Sequence, residues 1–363
     1  MACELERASA YERTFFGFES DCGVAVKAAK RLLGLRIQQT PIEPQGTVTA
    51  SGIAVPVGSY GIHGAHTALT LGGQLAVNDL IVGLALHLCE PTITTPAGAT
   101  NTRRYTFFPD FDGPKLRKTA TMDFGGDAGA HRCAFSAFNS LGLSFGKEAC
   151  AFSGSGVGAR LATEGVTMET AITDVPLVPV DANTWSAYVS DVAAVGTLFT
   201  DPKKLLRCFE FNLGSNNIFN PLFVGNAANK SYVNLVDTDG DTYQPVAGIN
   251  IEQNAFADQT VMEDLRRRNK RFGGLLWTGA QIEAGFNYRI QIRFPFNYRM
   301  NGLSDAEGVK RGEYDLQLIY DAAFGGFLEI VIDTDQATLM AAGGAQSGGQ
   351  MPDTLISTLQ GGA

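Results

Sequence analysis

Three stretches of this sequence hold residue types that could do chemistry. Asp237-Thr238-Asp239-Gly240-Asp241 sets three carboxylates at alternate positions, the spacing of a calcium loop. In the EF-hand pattern, however, the glycine follows the third acidic position. Here Gly240 precedes it, and no glutamate closes the loop. Asp239-Gly240 is also a strong hairpin signal, so a turn is expected there. Ser153-Gly154-Ser155-Gly156-Val157-Gly158-Ala159 has the glycine density of a phosphate cradle, but neither the Gly-Lys-Ser/Thr ending nor the G-x-G-x-x-G spacing. A loop, in a hairpin or at an interface, is the expectation. His63 and His66 share a short stretch, while His87 and His131 stand alone, all without a metal-ligand partner at the right spacing. No His–Asp order can be assigned to any serine, and the scattered carboxylates do not pair into an acid and a base. The sequence therefore assigns no catalytic, cofactor-binding or metal-ligating residue, and a protein that is not an enzyme is expected.

Arg266-Arg267-Arg268-Asn269-Lys270-Arg271 is the densest charge run. It reads as the solvated end of a helix, where the dipole favours cations. It reads equally as a basic patch facing an acidic surface, including another copy of this acidic chain. Phosphate binding ranks behind both. The net charge of −9 argues against tight binding to a phosphate backbone, though not against nucleic acid passing close by. The N-terminal MACELERASAYERTFFGF lacks the apolar segment of a signal peptide. The longest apolar run, Leu80 to Cys89, falls short of the ~20 residues a membrane-spanning helix needs. A chain kept in a cytosol, without a membrane partner, is expected. Cys3, Cys22, Cys89, Cys133, Cys150 and Cys208 lie far apart and read as buried thiols.

A length of 363 residues suggests two domains, and 42 Gly with 23 Phe describe a β-rich chain with many turns. The segment Gly285 to Asp333 is the most regular. Tyr288, Ile290, Ile292 and Phe294 alternate with Arg289, Gln291 and Arg293, the period of a half-buried strand. A Gly-containing excursion, Asn301 to Gly312, leads to a second alternating run, Tyr314 to Leu318, and Leu328 to Ile332 closes a three-stranded antiparallel meander. Residues 1–45 read as an N-terminal arm with a short helix from Val24 to Leu33. A first β-domain follows over 46–183. It holds strands over Val48–Val57, Tyr105–Phe108, Leu116–Phe124, Ala134–Phe145 and Ala149–Phe152, and a buried helix from Leu75 to Leu88. Thr173 to Asn183, with two prolines, reads as a linker. A second β-domain spans 184–335, with a helix from about Ala255 to Lys270. The two halves echo one another in their order of elements, without matching residues. The Gly-rich tail, 336–363, is expected to be ordered by neighbouring subunits.

The order of these segments resembles the major tail tube proteins of long-tailed bacteriophages. The resemblance rests on Gly17-Phe18-Glu19-Ser20-Asp21-Cys22-Gly23-Val24-Ala25-Val26, the apolar helix with Asn78-Asp79, Tyr105-Thr106-Phe107 and Lys118-Thr119-Ala120-Thr121. Ser153-Gly154-Ser155-Gly156, Gly279-Ala280-Gln281-Ile282-Glu283 and Tyr314-Asp315-Leu316-Gln317-Leu318-Ile319-Tyr320-Asp321 complete it. It implies a mainly β fold of two tandem tube-type β-sandwich or barrel domains, each with a flanking helix, closing into a ring with an inner β-barrel. It implies a structural virion protein, made in the bacterial host cytoplasm, whose partners are itself and other tail proteins. Stacked rings, trimeric or alternatively hexameric, would conduct DNA through the lumen without binding it specifically. Two other classes compete: another virion β-protein of neck, baseplate or fibre, and a polysaccharide-binding or -cleaving β-sandwich. The latter needs aromatic platforms beside paired carboxylates, and the chain has only Trp185 and Trp277.

Overall fold

The computed structural model describes residues 13–20, 24–42, 45–48, 58–61, 66–109, 118–126, 129–163, 165–190, 197–200, 205–206, 208–216, 220–222, 234–236, 248–254, 259–306 and 309–345. The chain is mainly β. It begins with β1 (Arg13–Phe18), β2 (Lys30–Arg31), β3 (Leu35–Ile42), the hairpin of β4 (Gln45–Val48) and β5 (Gly58–Gly61), and β6 (His66–Gln74). Helix α1 (Val77–His87) leads to β7 (Thr92–Thr94), β8 (Arg103–Phe107), β9 (Ala120–Gly126), β10 (Gly129–Phe145), β11 (Cys150–Gly158) and β12 (Thr173–Asp174). A second series runs β13 (Trp185–Ser190), β14 (Leu205–Leu206), β15 (Cys208–Asn216), β16 (Asn220–Leu222), β17 (Asn234–Val236) and β18 (Gly248–Asn254). It continues with α2 (Gln259–Arg267), β19 (Arg271–Glu283), β20 (Phe286–Ala306), β21 (Val309–Leu318) and β22 (Glu329–Thr334).

The two series pair alike. In the first, β1 pairs with β2 and β9, β9 with β10, β10 with β11, β11 with β6, and β6 with β3. In the second, β13 pairs with β14 and β19, β19 with β20, β20 with β21, β21 with β18, and β18 with β15. Every one of these pairings is antiparallel. Each series also places a small hairpin between its third and fourth members, β4–β5 in one and β16–β17 in the other. Residues 13–42, expected in a separate arm, thus hold the places in the first series that β13 to β15 hold in the second. Where a helix was expected from Val24, Val26 bridges Ala345 and Lys30–Arg31 pairs with β1. Strand pairing overrides local propensity there.

One further pairing, β10 with β15, fuses the two series. The result is an antiparallel sheet of eight strands in the order β3-β6-β11-β10-β15-β18-β21-β20. A second layer is built from the other halves of the two longest strands. The first half of β10 carries β9, β1, β2 and β12, and the first half of β20 lies between β19 and β22, with β8 and β7 beyond. The expected meander is corrected accordingly. Tyr288 to Phe294 pairs with β19 and β22, whereas Tyr314 to Leu318 pairs with Met300 to Phe296, so β21 and β22 follow one another along the same edge of β20. The excursion Asn301 to Gly312 is largely strand, continuing β20 to Ala306 and resuming at Val309.

Helix α1 fills the space between the layers. Its sequence VNDLIVGLALH is apolar on nearly all sides, and all eleven residues are buried. Gly83 permits the contact with the sheet, because a Cβ there would lie 2.4 Å from the Phe152 ring. Inward residues of the eight strands (Leu35, Leu71, Phe152, Leu143, Phe211 and Tyr314 among them) belong to one continuous apolar cluster with α1. Helix α2 is amphipathic and short; it ends at Arg267, where Arg268 takes φ 52° and turns the chain out of the helix.

The connection Thr173 to Asn183 is tied down rather than free. Asp174 binds Arg31 through both carboxylate oxygens, Pro176 O accepts from Asn78, and Val180 N–H donates to Leu75 O. Residues 336–345 of the expected tail lie on their own chain. Gly343 N–H donates to Phe18 O, Lys27 N–H donates to Gly344 O, and the Lys30 ammonium reaches the carbonyls of Thr338 and Leu339. The strand expected over Val48–Val57 lies outside the described residues beyond Val48, as does the tail after 345.

Between β9 and β10, Arg132 forks onto Asp123 at 2.7 and 2.8 Å, with both side chains buried. Removing one partner strands a buried charge, which costs about 3–5 kcal/mol, whereas replacing both with apolar groups is close to neutral. Asp123→Asn should therefore lower the urea midpoint sharply, and Asp123→Leu with Arg132→Met should recover most of the loss. Equal destabilisation of the single and double variants would show that the pair is not what holds β9 to β10.

Candidate functional site

Among the described residues, those singled out for chemistry are not brought together. Ser153 to Gly158 is the second half of β11, not a loop, and runs between β10 and β6. Its glycines are needed for that. A Cβ on Gly154 would lie 2.3 Å from Ser140 O, and one on Gly158 would lie 2.3 Å from Cys133 Sγ. Asp237 to Asp241 and His63 lie outside the described residues. His66 is half-buried on β6, His87 is buried on α1 with its Nδ1 2.9 Å from Phe138 O, and His131 is half-buried on β10. Among the described residues, no group of three His, Cys, Asp or Glu could hold a metal ion. No helix among them is long and apolar enough to cross a membrane.

Cys133 and Cys150 are buried free thiols, and burial pushes both up to about 11, far from a reactive thiolate. Cys89 is half-buried. Trp185 and Trp277 are cross-strand partners, and Trp277 is buried, so they pack rather than form a platform. The arginine run is partly used within the chain. Arg271 binds Asp264, Lys270 binds Asp321 and Arg267 binds Glu263, while Arg266 and Arg268 face solvent.

The feature that the described geometry singles out is a surface and its margins. The outer face of the eight-stranded sheet carries Arg36, Gln38, Thr70, Ser153, Ser140, Asn212, Asp315, Gln317 and Arg299, all exposed or half-exposed. In the second series the described residues of this face mix acid, base and amide, with Glu210, Asn212, Asp315, Gln317 and Arg299 among them. The sheet also ends twice without a partner among the described residues. β3 pairs only with β6, and the second half of β20 pairs only with β21. Pro41 fits that position, since proline cannot donate to a neighbour and belongs on an edge. These margins were not legible in the sequence, where β3 was assigned to the arm and the end of β20 to an excursion.

Two carboxylates fix how the framework meets this sheet. Glu283, at the end of β19, accepts from the Thr102 hydroxyl and from the N–H groups of Thr100, Asn101 and Thr102. Those donors, the hydroxyl foremost, hold it down to about 2. It thereby pins the β7–β8 turn to the β19–β20 hairpin. Asp79 is buried, and its Oδ2 accepts from the Gly34 N–H at 2.8 Å, just before β3, while its Oδ1 has no partner among the described residues. Burial pushes it up to about 6, against the pull of the Gly34 and Leu35 donors.

Because Asp79 in the folded chain lies above the ordinary carboxylate value, the folded state holds its proton more tightly than the unfolded state. The stability it contributes is complete below about pH 4 and is lost as pH rises through about 6. Asp79→Asn cannot titrate. Its stability relative to wild type should rise by about 2–3 kcal/mol between pH 4 and pH 7.5, at about 1.4 kcal/mol per pKa unit. Urea unfolding across that range measures it, and a difference that stays flat would show that Asp79 titrates normally.

In comparisons with known proteins, no protein-family model and no curated protein matches this chain.

Proposed function

We propose that this chain is the structural subunit of a phage tail tube, closing as trimeric rings that stack and conduct DNA. The observation that carries this reading is the eight-stranded sheet with its polar outer face and two edges that have no partner among the described residues. Such edges are templates for further pairing, and proteins pair, cover or charge them. Each edge comes from a different series, so contact between copies is heterologous, and heterologous contact makes either a closed ring or an open filament. A sheet closed through three copies would present its wet face to the bore. The net charge of −9 then acquires a purpose, since it repels phosphate and keeps a passing nucleic acid from sticking. The described residues of the face, from Arg36 and Gln38 to Gln317 and Arg299, offer no aromatic surface on which bases could stack.

Two series of like pairing support three copies rather than six. Each chain brings two sets of four strands to the sheet, so threefold closure gives pseudo-sixfold symmetry. The tube reading makes the protein structural, not catalytic, and places it in the virion tail.

Electron microscopy of the purified full-length chain tests this. The expected images are stacked rings or tubes, with three subunits in cross-section. A lone globule at every concentration would overturn the reading, a trimeric spike would favour a fibre or baseplate component, and six subunits per ring would overturn the trimer.

A further inference from the structure

The first turn of α1 is a junction between distant parts of the chain. Val77 N–H donates to Val178 O, Asn78 joins Pro176 O to the Thr334 hydroxyl, and the Asp79 carboxyl holds the turn between β2 and β3. Only the third of these ties can gain or lose a proton.

We propose that Asp79 is a proton-operated latch: neutral, it keeps the Leu33–Gly34 turn seated on α1; ionised, it lets that turn lift so that water reaches the carboxylate. Once lifted, β3 loses its anchor to the helix and keeps only β6 as a partner among the described residues. The device belongs to the single chain and does not depend on the ring reading.

The geometry puts the movement at this turn. Asp79 is 4% exposed and its Oδ1 meets no partner among the described residues, so ionisation leaves a charged oxygen dry and unsatisfied. Gly34 N–H donates to Oδ2 at 2.8 Å, and Leu35 N–H supports it. The approach is this close because position 34 has no side chain. A Cβ there would lie 2.7 Å from Oδ2 and 2.9 Å from Leu177 Cδ1. Leu33 in the turn and Leu177 against it are already 46% and 49% exposed, so lifting uncovers little further apolar surface. Residues 176–180, which also border this place, are held by bonds to Leu75, Val77 and Asn78. The Gly34 turn is the weaker wall.

No charged group among the described residues bonds to Asp79 in compensation. Lys30 is taken by Thr338 O and Leu339 O, Arg31 by Asp174, and Asp333 by Arg104 and Arg289. Asp335 accepts from Gln336, and His87, at the far end of α1, lies against Phe138 O. Arg36, Lys147, Glu148 and Asp181 are exposed. Burial therefore raises the seated carboxyl to about 6, against an ordinary 3.8 once water reaches it. A seated value above the open one means that seating is favoured at low pH and lost as pH rises. Lifting grows about tenfold per pH unit between the two values and levels off above about 6.

Hydrogen exchange of the full-length chain, wild type against Asp79→Asn at each pH, tests the latch. The variant cannot ionise, and it cancels the chemical pH dependence of exchange. The ratio of wild-type to variant rates at Gly34 and Leu35 should rise roughly fiftyfold between pH 4 and pH 7.5, while the ratio over Leu84 to Leu88 stays level. If the variant does not fold, the Leu69 and Leu71 amides of wild-type β6 serve as the reference instead. A flat ratio at Gly34 and Leu35 would overturn the latch. So would an equal rise through α1, because the carboxyl would then be hydrated only by unfolding of the whole chain.

Discussion

Two strands in this protein belong to two layers at once, and most of the architecture depends on that constraint. β10 pairs with β9 through its first half and with β11 and β15 through its second. β20 pairs with β19 and β22 first, and with β21 afterwards. A strand can leave one layer for another only where its ladder is interrupted. In β10 the register slips between Cys133 and Ser136, and Phe135 takes φ 53°, a conformation rare for a side chain of that size. The buried Glu19 carboxylate accepts the Phe135 N–H and holds the distortion in place. In β20 the exchange of partners falls at Pro295, between the last residue paired to β22 and the first paired to β21. A second slip follows between Met300 and Gly302.

Bending both strands opens a space between the layers, and α1 occupies it. A helix buried on every side must satisfy its polar residues locally. Asn78 does so by donating to Pro176 O and accepting from the Thr334 hydroxyl, which joins the connection between the two series to the end of β22. Asp79 does so incompletely, through the Gly34 N–H, and its raised pKa records the cost of burial. Ion pairs on the second layer follow the same cross-strand logic at lower cost. Asp333 lies between Arg104 and Arg289 on neighbouring strands, and Arg293 binds Glu329 directly across from it.

Among the described residues, what this framework holds out to solvent is a sheet face without an apolar patch, bounded by strands that want partners. The interior and the outer face therefore have separate duties. The interior is saturated with Phe, Leu and Ile and fixes the curvature of the layers. The face is free of packing demands and can carry charges that a core would not tolerate. The proposed tube subunit would use that division, with a lining indifferent to the polymer that passes and margins that are not.

The residues by themselves determined the β character, because alternation over Tyr288 to Phe294 and Tyr314 to Leu318 admits little else. They also determined α1, whose unbroken apolar run from Leu80 to Leu86 can only be buried. Helix α2 was legible from its charged end, and the echo between the halves from the order of elements. Partnership was decided by tertiary structure. An alternating run shows which face is dry, but a strand has two edges, and nothing in Tyr314 to Leu318 says that its partner is Met300 to Phe296 rather than Ile290. Glycines misled for a related reason. In Ser153 to Gly158 they do not loosen the chain but let it approach Ser140 and Cys133, atoms that come near only after β10 has bent. The open margins were hidden because, Pro41 in β3 apart, an edge strand differs from a central one less in its residues than in the absence of a neighbour, and only the assembled sheet reveals where neighbours stop.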